Sequence, residues 1–391
     1  MLKSYKTLLS INLIEEQIDN DVDVDLIDDM IDINNNNRYL WRWTYPSIDN
    51  DVRFFIEKRL SSQSSSSSSL STIFTYDYGK FSFFKIREKF IYILQNYQQH
   101  SKRFSLVLLT KDFYPKYYQK LLKIFAEIFI QSNDSIAKLL DKYLTLLITD
   151  RIEMMLTDPE RQIDFHFQQH NDEFNEKQKL QSKLRSIIKM FSLDIILIYT
   201  ALLLKKRIII YGNDSQLLFE FAITLPLFIK HRQNILNEEF IPNVDLQCPI
   251  QINDLRYRQN FISTFNDPRI EEHEDLYDVY INLATIEITI SHRAKEIFMM
   301  TKMHKDVAIT FVRIAEKQGS TDQDVVDEIS KKTNELLNTL YSSSAMDDDY
   351  DNDDNQKKIV IKKSRLKEKF SSPNLQQFFF NLALAESISI I

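Results

Sequence analysis

Glycine, cysteine and proline are all scarce in this chain of 391 residues, at three, one and eight. Phosphate-cradling loops need glycines so that backbone N–H groups can close on the anion, and Gly79, Gly212 and Gly319 form neither GxxxxGK[S/T] nor GxGxxG. The GxSxG turn of serine hydrolases is missing for the same reason. With Cys248 alone, the chain can form no internal disulfide and no thiolate cluster for zinc, which fits a reducing, cytosolic setting. Cys248 itself reads as a loop or core residue, and the neighbouring Pro249 supports the loop.

Long apolar runs are lacking too. The longest uncharged one, Ile195 to Leu204, is shorter than the ~20 residues a helix needs to cross a bilayer, so the expectation is a soluble protein that meets membranes only peripherally. The N-terminal MLKSYKTLLSINLIEE runs into Glu15 and Glu16 without a small-residue cleavage site, and reads as a first strand rather than a signal peptide. Asp19, Asp21 and Asp23 open like a calcium loop, but Val24 and Met30 stand where that loop needs Gly and Glu. His166 and His170 have the i, i+4 spacing of a helical metal pair, yet Phe167 replaces the Glu of HExxH, and both read as surface. No metal or cofactor site is expected, and no nucleotide site of the glycine-loop kinds. The aromatics lack the basic interleave of nucleic-acid binders, so nucleic acid is not an expected partner either.

What is present is a globular composition, 43% hydrophobic and 12% aromatic, long enough for two or three modules. The net charge of −7 conceals an asymmetry. Glu15 to Asp32 holds nine acids and Asp347 to Asp354 six, with no Lys or Arg in either; without those fifteen the remainder carries +8. That basic remainder is open to two readings: ordinary solubility charge, or a face for an acidic protein surface or anionic lipid.

Leu8 to Ile14 and Tyr39 to Tyr45 read as strands, the second with alternating aromatics at Trp41, Trp43 and Tyr45. A helix follows, capped at Asp49 or Asn50. The tract Ser61 to Ser69 reads as a mobile insertion. Strands resume at 73–78, 80–86, 90–94 and 104–110 before a helix from Tyr114 to Ile130. Polar residues 157–179 form a bridge. Beyond it, Ser192 is expected to cap a helix from Asp194 to about Lys205, followed by a buried strand Arg207–Tyr211 and a second helix opened by Ser215. So uniform a strand needs cover on both faces, hence a mainly parallel sheet. Pro242, Pro249 and Pro268 mark an irregular region, with extended segments at 277–283 and 286–290. Ser291 and Thr321 are expected to cap two long helices, the latter in a capping box with Asp324. The charged stretch 346–369 reads as disordered, and Asn374 to Ile388 as a final helix whose Phe378, Phe379 and Leu382 dock on the core.

Five phrases carry a resemblance: WRWTYPS (41–47), FSLVLLTKDFYPKYYQKLLKIF (104–125), TALLLKKRIIIY (200–211), LP followed by HRQ (225–233), and DLYDVYINLATIEITI (275–290). In this order the chain resembles DENN-domain proteins. The resemblance implies an α/β fold: an N-terminal longin-like α+β module (1–150), a polar bridge (151–180), and a three-layer α/β DENN module in central (181–270) and downstream (271–391) parts with C-terminal helices. It implies guanine nucleotide exchange on a Rab GTPase in late endosomal trafficking, in a cytoplasmic protein recruited to late endosomes. The alternative it leaves open is a non-catalytic adaptor or Rab effector in the Commander endosomal recycling assembly.

The family's binding mode implies a GTPase contact zone at Trp43, Lys111, Lys205, Lys206, Arg207, Asp275, Tyr277 and Asp278. Each has a plainer reading. Trp43 fits a core position. Lys205 to Arg207 fit cations at a helix end, as do His231 and Arg232, and Asp275 to Asp278 fit a capped turn around a buried Tyr. The region Tyr257 to Phe265 also lacks the glycine that DENN domains commonly carry there.

Overall fold

The computed structural model describes residues 8–16, 39–65, 74–76, 79–99, 102–149, 152, 183–232, 235–342, 345–346, 359–361 and 363–390. The calcium-like acidic segment, serines 66–69, the bridge with His166 and His170, and the acidic run 347–354 lie outside the described residues. The chain divides into two compact units, 1–174 and 175–391.

The first unit holds a six-stranded antiparallel sheet. Its strands are β1 (Leu8–Glu16), β2 (Tyr39–Tyr45), β3 (Phe74–Tyr76), β4 (Gly79–Ile86), β5 (Lys89–Gln99) and β6 (Lys102–Thr110), in the spatial order β2-β1-β6-β5-β4-β3. Strands β1 and β6 lie inside the sheet, and their Ile11, Leu13, Val107 and Leu108 are wholly buried. Strand β2 lies at the edge and keeps a half-exposed pattern. Helices α1 (Asn50–Ser65), α2 (Pro115–Gln131) and α3 (Ile136–Thr149) complete the unit. Pro115 opens α2, where its missing N–H leaves no bond unmade. Helix α1 extends to Ser65, so the first serines of the expected mobile tract are helical.

In the second unit, α4 (Leu184–Phe191) and α5 (Ile195–Leu203) are joined by a 3-10 turn. Ser192 does not start the helix as expected. Its φ of 50° is left-handed and its N–H bonds back to the Ile188 carbonyl, so it ends α4 instead. By length and composition the stretch Leu184–Leu203 could cross a bilayer, but the chain turns at Ser192 and most of its apolar window is buried inside the protein. After β7 (Arg207–Tyr211), α6 (Ser215–Thr224) opens at Ser215 as expected and is capped by Asp214, whose carboxylate accepts from the N–H groups of Gln216 (2.8 Å) and Leu217 (3.2 Å).

The region punctuated by prolines is more ordered than expected. It contains α7 (Ile235–Glu238), β8 (Phe240–Ile241), α8 (Pro249–Tyr257) and β9 (Phe261–Phe265), followed by β10 (Val279–Asn282) and β11 (Glu287–Ile290). The sheet order is β11-β10-β7-β9-β8, with β7 parallel to both of its neighbours and only β11 antiparallel. All five residues of β7 are buried, as expected for a central parallel strand. Ile209 and Tyr211 pack with Phe261, Phe265 and Tyr280 against Ile252 and Leu255 of α8.

Helices α9 (Lys302–Glu316) and α10 (Asp322–Tyr341) follow. Ser291 precedes only a short 3-10 turn, and α9 starts behind Thr301, whose capping box is closed by His304. The Thr321–Asp324 capping box of α10 is as expected. The short strands β12 (Ala345–Met346), β13 (Ile359–Ile361) and β14 (Ser389–Ile390) form a third sheet around α11 (Lys363–Lys369) and α12 (Pro373–Ala385). The expected disorder of 346–369 therefore fails at its end, where Ile361 and Leu366 are buried. Helix α12 buries Phe378, Phe379 and Leu382, with the Phe378 ring 4.7 Å from that of His304.

Candidate functional site

Six of the eight candidate residues meet at the amino-terminal ends of β7 and β10. This is the opposite end from the one where open α/β sheets hold small ligands. The assembly starts where α5 stops. Lys205 has φ 49°, and the N–H groups of Lys205 and Lys206 bond back to the carbonyls of Leu202 (3.2 Å) and Ala201 (2.9 Å). This is a Schellman closure, in which the left-handed position is usually glycine; a lysine there costs about 1 kcal/mol.

Two residues on, Arg207 points inward. Its guanidinium donates to the Asp275 carbonyl (3.0 Å) and the Asp278 carboxylate (3.2 Å), and its own N–H also meets Asp278 (3.0 Å). Arg293 reaches the same carboxylate at 3.2 Å and donates to the Tyr277 carbonyl. The Tyr277 ring is buried and its hydroxyl donates to the Glu271 carbonyl; burial pushes that hydroxyl up to about 12. Arg207, Tyr277 and Asp278 are thus turned into the protein, where they brace the starts of two strands. Asp275 remains exposed, 3.5 Å from Arg256. Burial lowers the Lys206 pKa, with Asp278 opposing it.

Sequence reasoning missed the residues behind this turn. Arg232 donates to the carbonyls of Leu202 (2.8 Å) and Leu203 (2.7 Å) and pairs with Glu386 at the end of α12. His231 also meets Glu386, at 3.2 Å. Burial would raise the Glu386 pKa, but His231 and Arg232 overcome it and hold the carboxyl down to about 2. Burial also pushes Glu239 up, against the charges of Lys205 and Arg232. The visible signal was the HR pair after Pro226, read there as cations for the local helix end; the helix end it serves lies about 30 residues earlier.

In the first unit, Trp43 is half-buried on edge strand β2, its ring stacked on Tyr45 at 6.4 Å. Lys111 is exposed just past β6. Trp43 shares a row with Leu106, two strands across and five residues before Lys111, so these two candidates are not neighbours. Among the described residues no group of His, Cys, Asp and Glu could hold a metal ion. A depression of about 630 Å³ is lined by charged and polar residues, among them Lys230, His231, Asp327, Lys331 and Glu335, without the hydrophobic and aromatic side chains that line small-molecule sites. This site is a charged surface with a braced foundation.

Residues 181–292, which include the whole second-unit cluster from Lys205 to Asp278, match the family described as "SPA: Stabilization of polarity axis". The chain is also similar along nearly its whole length to named relatives. It is 28% identical over 392 residues to DENN domain-containing protein 10 of Danio rerio, covering 97% of each. It is 26% identical to the Homo sapiens protein of that name, over 92% of this chain and 95% of the relative. The Dictyostelium discoideum protein is 28% identical, over 90% and 95%. These proteins are homologues of the chain, and the mixed α/β architecture agrees with the DENN resemblance read from its sequence.

Proposed function

We propose that this chain is a guanine nucleotide exchange factor for a Rab-type GTPase. The observation that carries the reading is the similarity to DENN domain-containing proteins over nine-tenths or more of the chain. The six-stranded sheet supports reading the first unit as longin-like, and the parallel sheet with its helices supports a three-layer DENN module after a polar bridge at 151–180. The members of the candidate set that keep solvent exposure, Lys111 and Asp275 fully and Lys205 and Lys206 in part, are proposed, with Trp43 at the sheet edge, to meet the GTPase.

Exchange needs no nucleophile and no acid–base pair. A protein that binds the nucleotide-free GTPase more tightly than the loaded form must, by linkage, weaken nucleotide binding to the same degree. Switch loops ordered by phosphate and magnesium are the elements such a surface would grip. Recruitment to late endosomes, with peripheral membrane contact, belongs to the same proposal and rests on the resemblance.

The test is GDP release from a panel of purified Rab GTPases. One member is expected to release GDP faster and to form a nucleotide-free complex that added GDP or GTP dissociates. Equal affinity for free and loaded forms without faster release would overturn exchange. A preference for the GTP-loaded form would identify an effector or adaptor, of the kind an endosomal recycling assembly uses.

A further inference from the structure

The polar depression beside the Arg232 brace is a recess with fixed walls. Asp327, Lys331, Asn334 and Asn338 recur along α10 at helical spacing and form one wall; Lys230 and His231, which follow the 3-10 segment Leu225–Ile229, form another. Thr333 lines it too, and that side chain is buried, its hydroxyl accepting from the Tyr199 hydroxyl of α5 (2.9 Å) and donating to the Ile329 carbonyl (2.9 Å). The Lys230–His231 turn is fastened through His231 and Arg232 to Glu386. The space of about 630 Å³ is therefore shaped before any ligand enters.

The charged groups in this recess are unequally engaged. Asp327 accepts from the Gln323 amide at 2.7 Å, and Glu335 from the Lys332 ammonium at 2.7 Å. Lys230 and Lys331, by contrast, have no carboxylate within ion-pair distance among the described residues, and the side-chain amides of Asn334 and Asn338 have no hydrogen-bond partner there. Lys331 follows Asp327 by four residues, a spacing at which acid and base commonly pair, yet the acid meets Gln323 instead. A solvated helix face accounts for such side chains singly. It does not account for unpaired ammonium groups brought from separate elements onto one recess whose acids are occupied.

We infer that this recess binds a singly phosphorylated polyol, with Lys230 and Lys331 on the phosphate and Asn334, Asn338 and Ser330 on the hydroxyls. Phosphate oxygens accept charge-assisted hydrogen bonds from ammonium groups, while side-chain amides both donate to and accept from hydroxyls. The Asp327 and Glu335 carboxylates in the same lining repel a polyphosphate and leave room for one phosphate between the lysines. The volume falls within the range of about 300–1,000 Å³ that small ligands occupy, and the polar lining requires a ligand that is polar throughout. Such a site would operate whether or not the chain acts on a GTPase.

The test titrates the full chain with myo-inositol 1-phosphate by calorimetry and sediments it with vesicles carrying phosphatidylinositol 4-phosphate; myo-inositol, inorganic phosphate and inositol hexakisphosphate are the comparators. One of the first two probes should bind saturably, the free inositol phosphate with a Kd of about 1 mM or tighter. Binding of the free compound identifies a soluble ligand, and binding to the vesicles alone a lipid headgroup. Replacing both lysines, Lys230→Met with Lys331→Met, should weaken it about tenfold or more at an unchanged melting temperature, while Lys189→Met, outside the recess, should leave it as it was. Asn334→Ala should weaken the polyol phosphate and leave any inorganic phosphate binding untouched. Absence of saturable binding to both probes overturns the inference, as does binding that the double variant retains, or inorganic phosphate or the hexakisphosphate binding as tightly. A lower melting temperature for the double variant overturns it too, because the lysines would then serve the fold.

Discussion

Arg207 and Arg232 look alike as groups and differ in what they join. Each guanidinium is nearly buried, with 11% and 10% of its side chain exposed; Arg207 donates to one backbone carbonyl and Arg232 to two, and each donates to a carboxylate. Arg207 ties two neighbouring strands of one sheet, and its carboxylate is shared with a second cation, Arg293. Arg232 ties the end of α5 to Glu386, 154 residues further along at the end of α12. In sequence both are basic residues beside a helix end. The contrast teaches that a cation's position along the chain does not tell whether it is free to meet a partner; that depends on which carboxylate folds against it.

The largest expected effect lies at the first clamp. Arg207→Met should destabilise the protein by about 3 kcal/mol, because a nearly buried Asp278 loses one of its two cations. Urea unfolding measures this directly. A change below about 0.5 kcal/mol would mean that Arg293 alone suffices and that the two arginine clusters are not comparable.

A smaller effect concerns what else holds α12. Burial pushes the His304 pKa down to about 4, and its ring lies edge-on against Phe378. The unfolded chain takes up this proton near pH 6.5 and the folded chain only near 4. Stability is therefore complete above about 6.5 and falls as pH drops toward 4, by about 2 kcal/mol at pH 5. Stability curves at pH 8 and pH 5 should show this loss, and His304→Phe should remove it. A wild-type slope that survives in His304→Phe would assign the effect to other groups.

The smallest effect is at the second clamp. Glu386→Gln should cost about 1 kcal/mol, since the amide oxygen still accepts from Arg232 while the charge is gone. The Glu386 carboxyl is held down to about 2, so its contribution is present above about pH 4.5 and is lost as pH falls through 2. Hydrogen exchange at the Phe379 and Leu382 amides should quicken while the β7 amides keep their protection. Equal loss of protection in both places would show one cooperative unit instead of two separately anchored ones.

Several elements were legible because their signals are local. β7 announced itself by an unbroken β-branched run, the start of α10 by Thr321 and Asp324, and α12 by a stripe of Phe378, Phe379 and Leu382. Pro249 misled because proline at the first turn of α8 opens a helix as readily as it interrupts one. β9 was hidden by its Ser263 and Thr264, which are wholly buried because Ser263 donates to the Ile241 carbonyl at 3.0 Å and Thr264 accepts from the Asn243 N–H at 2.9 Å. Ser192 and Ser291 carry the residue type of a helix cap without its function, since an N-cap depends on the backbone that follows it.

By itself the sequence determined the absence of phosphate-loop and thiolate chemistry, the parallel character of the central strand, the docking stripe of the last helix and the DENN resemblance. These follow from residue types and from periodicities of a few residues, which act within one element. Only the tertiary structure decided that Arg207 is a brace, that Arg232 closes a helix it does not follow, and that Lys205 stands in a left-handed turn with its charge acting on Glu239. Those outcomes depend on carboxylates and carbonyls as much as 154 residues away, and Coulomb and hydrogen-bond energies depend on distance in space rather than along the chain.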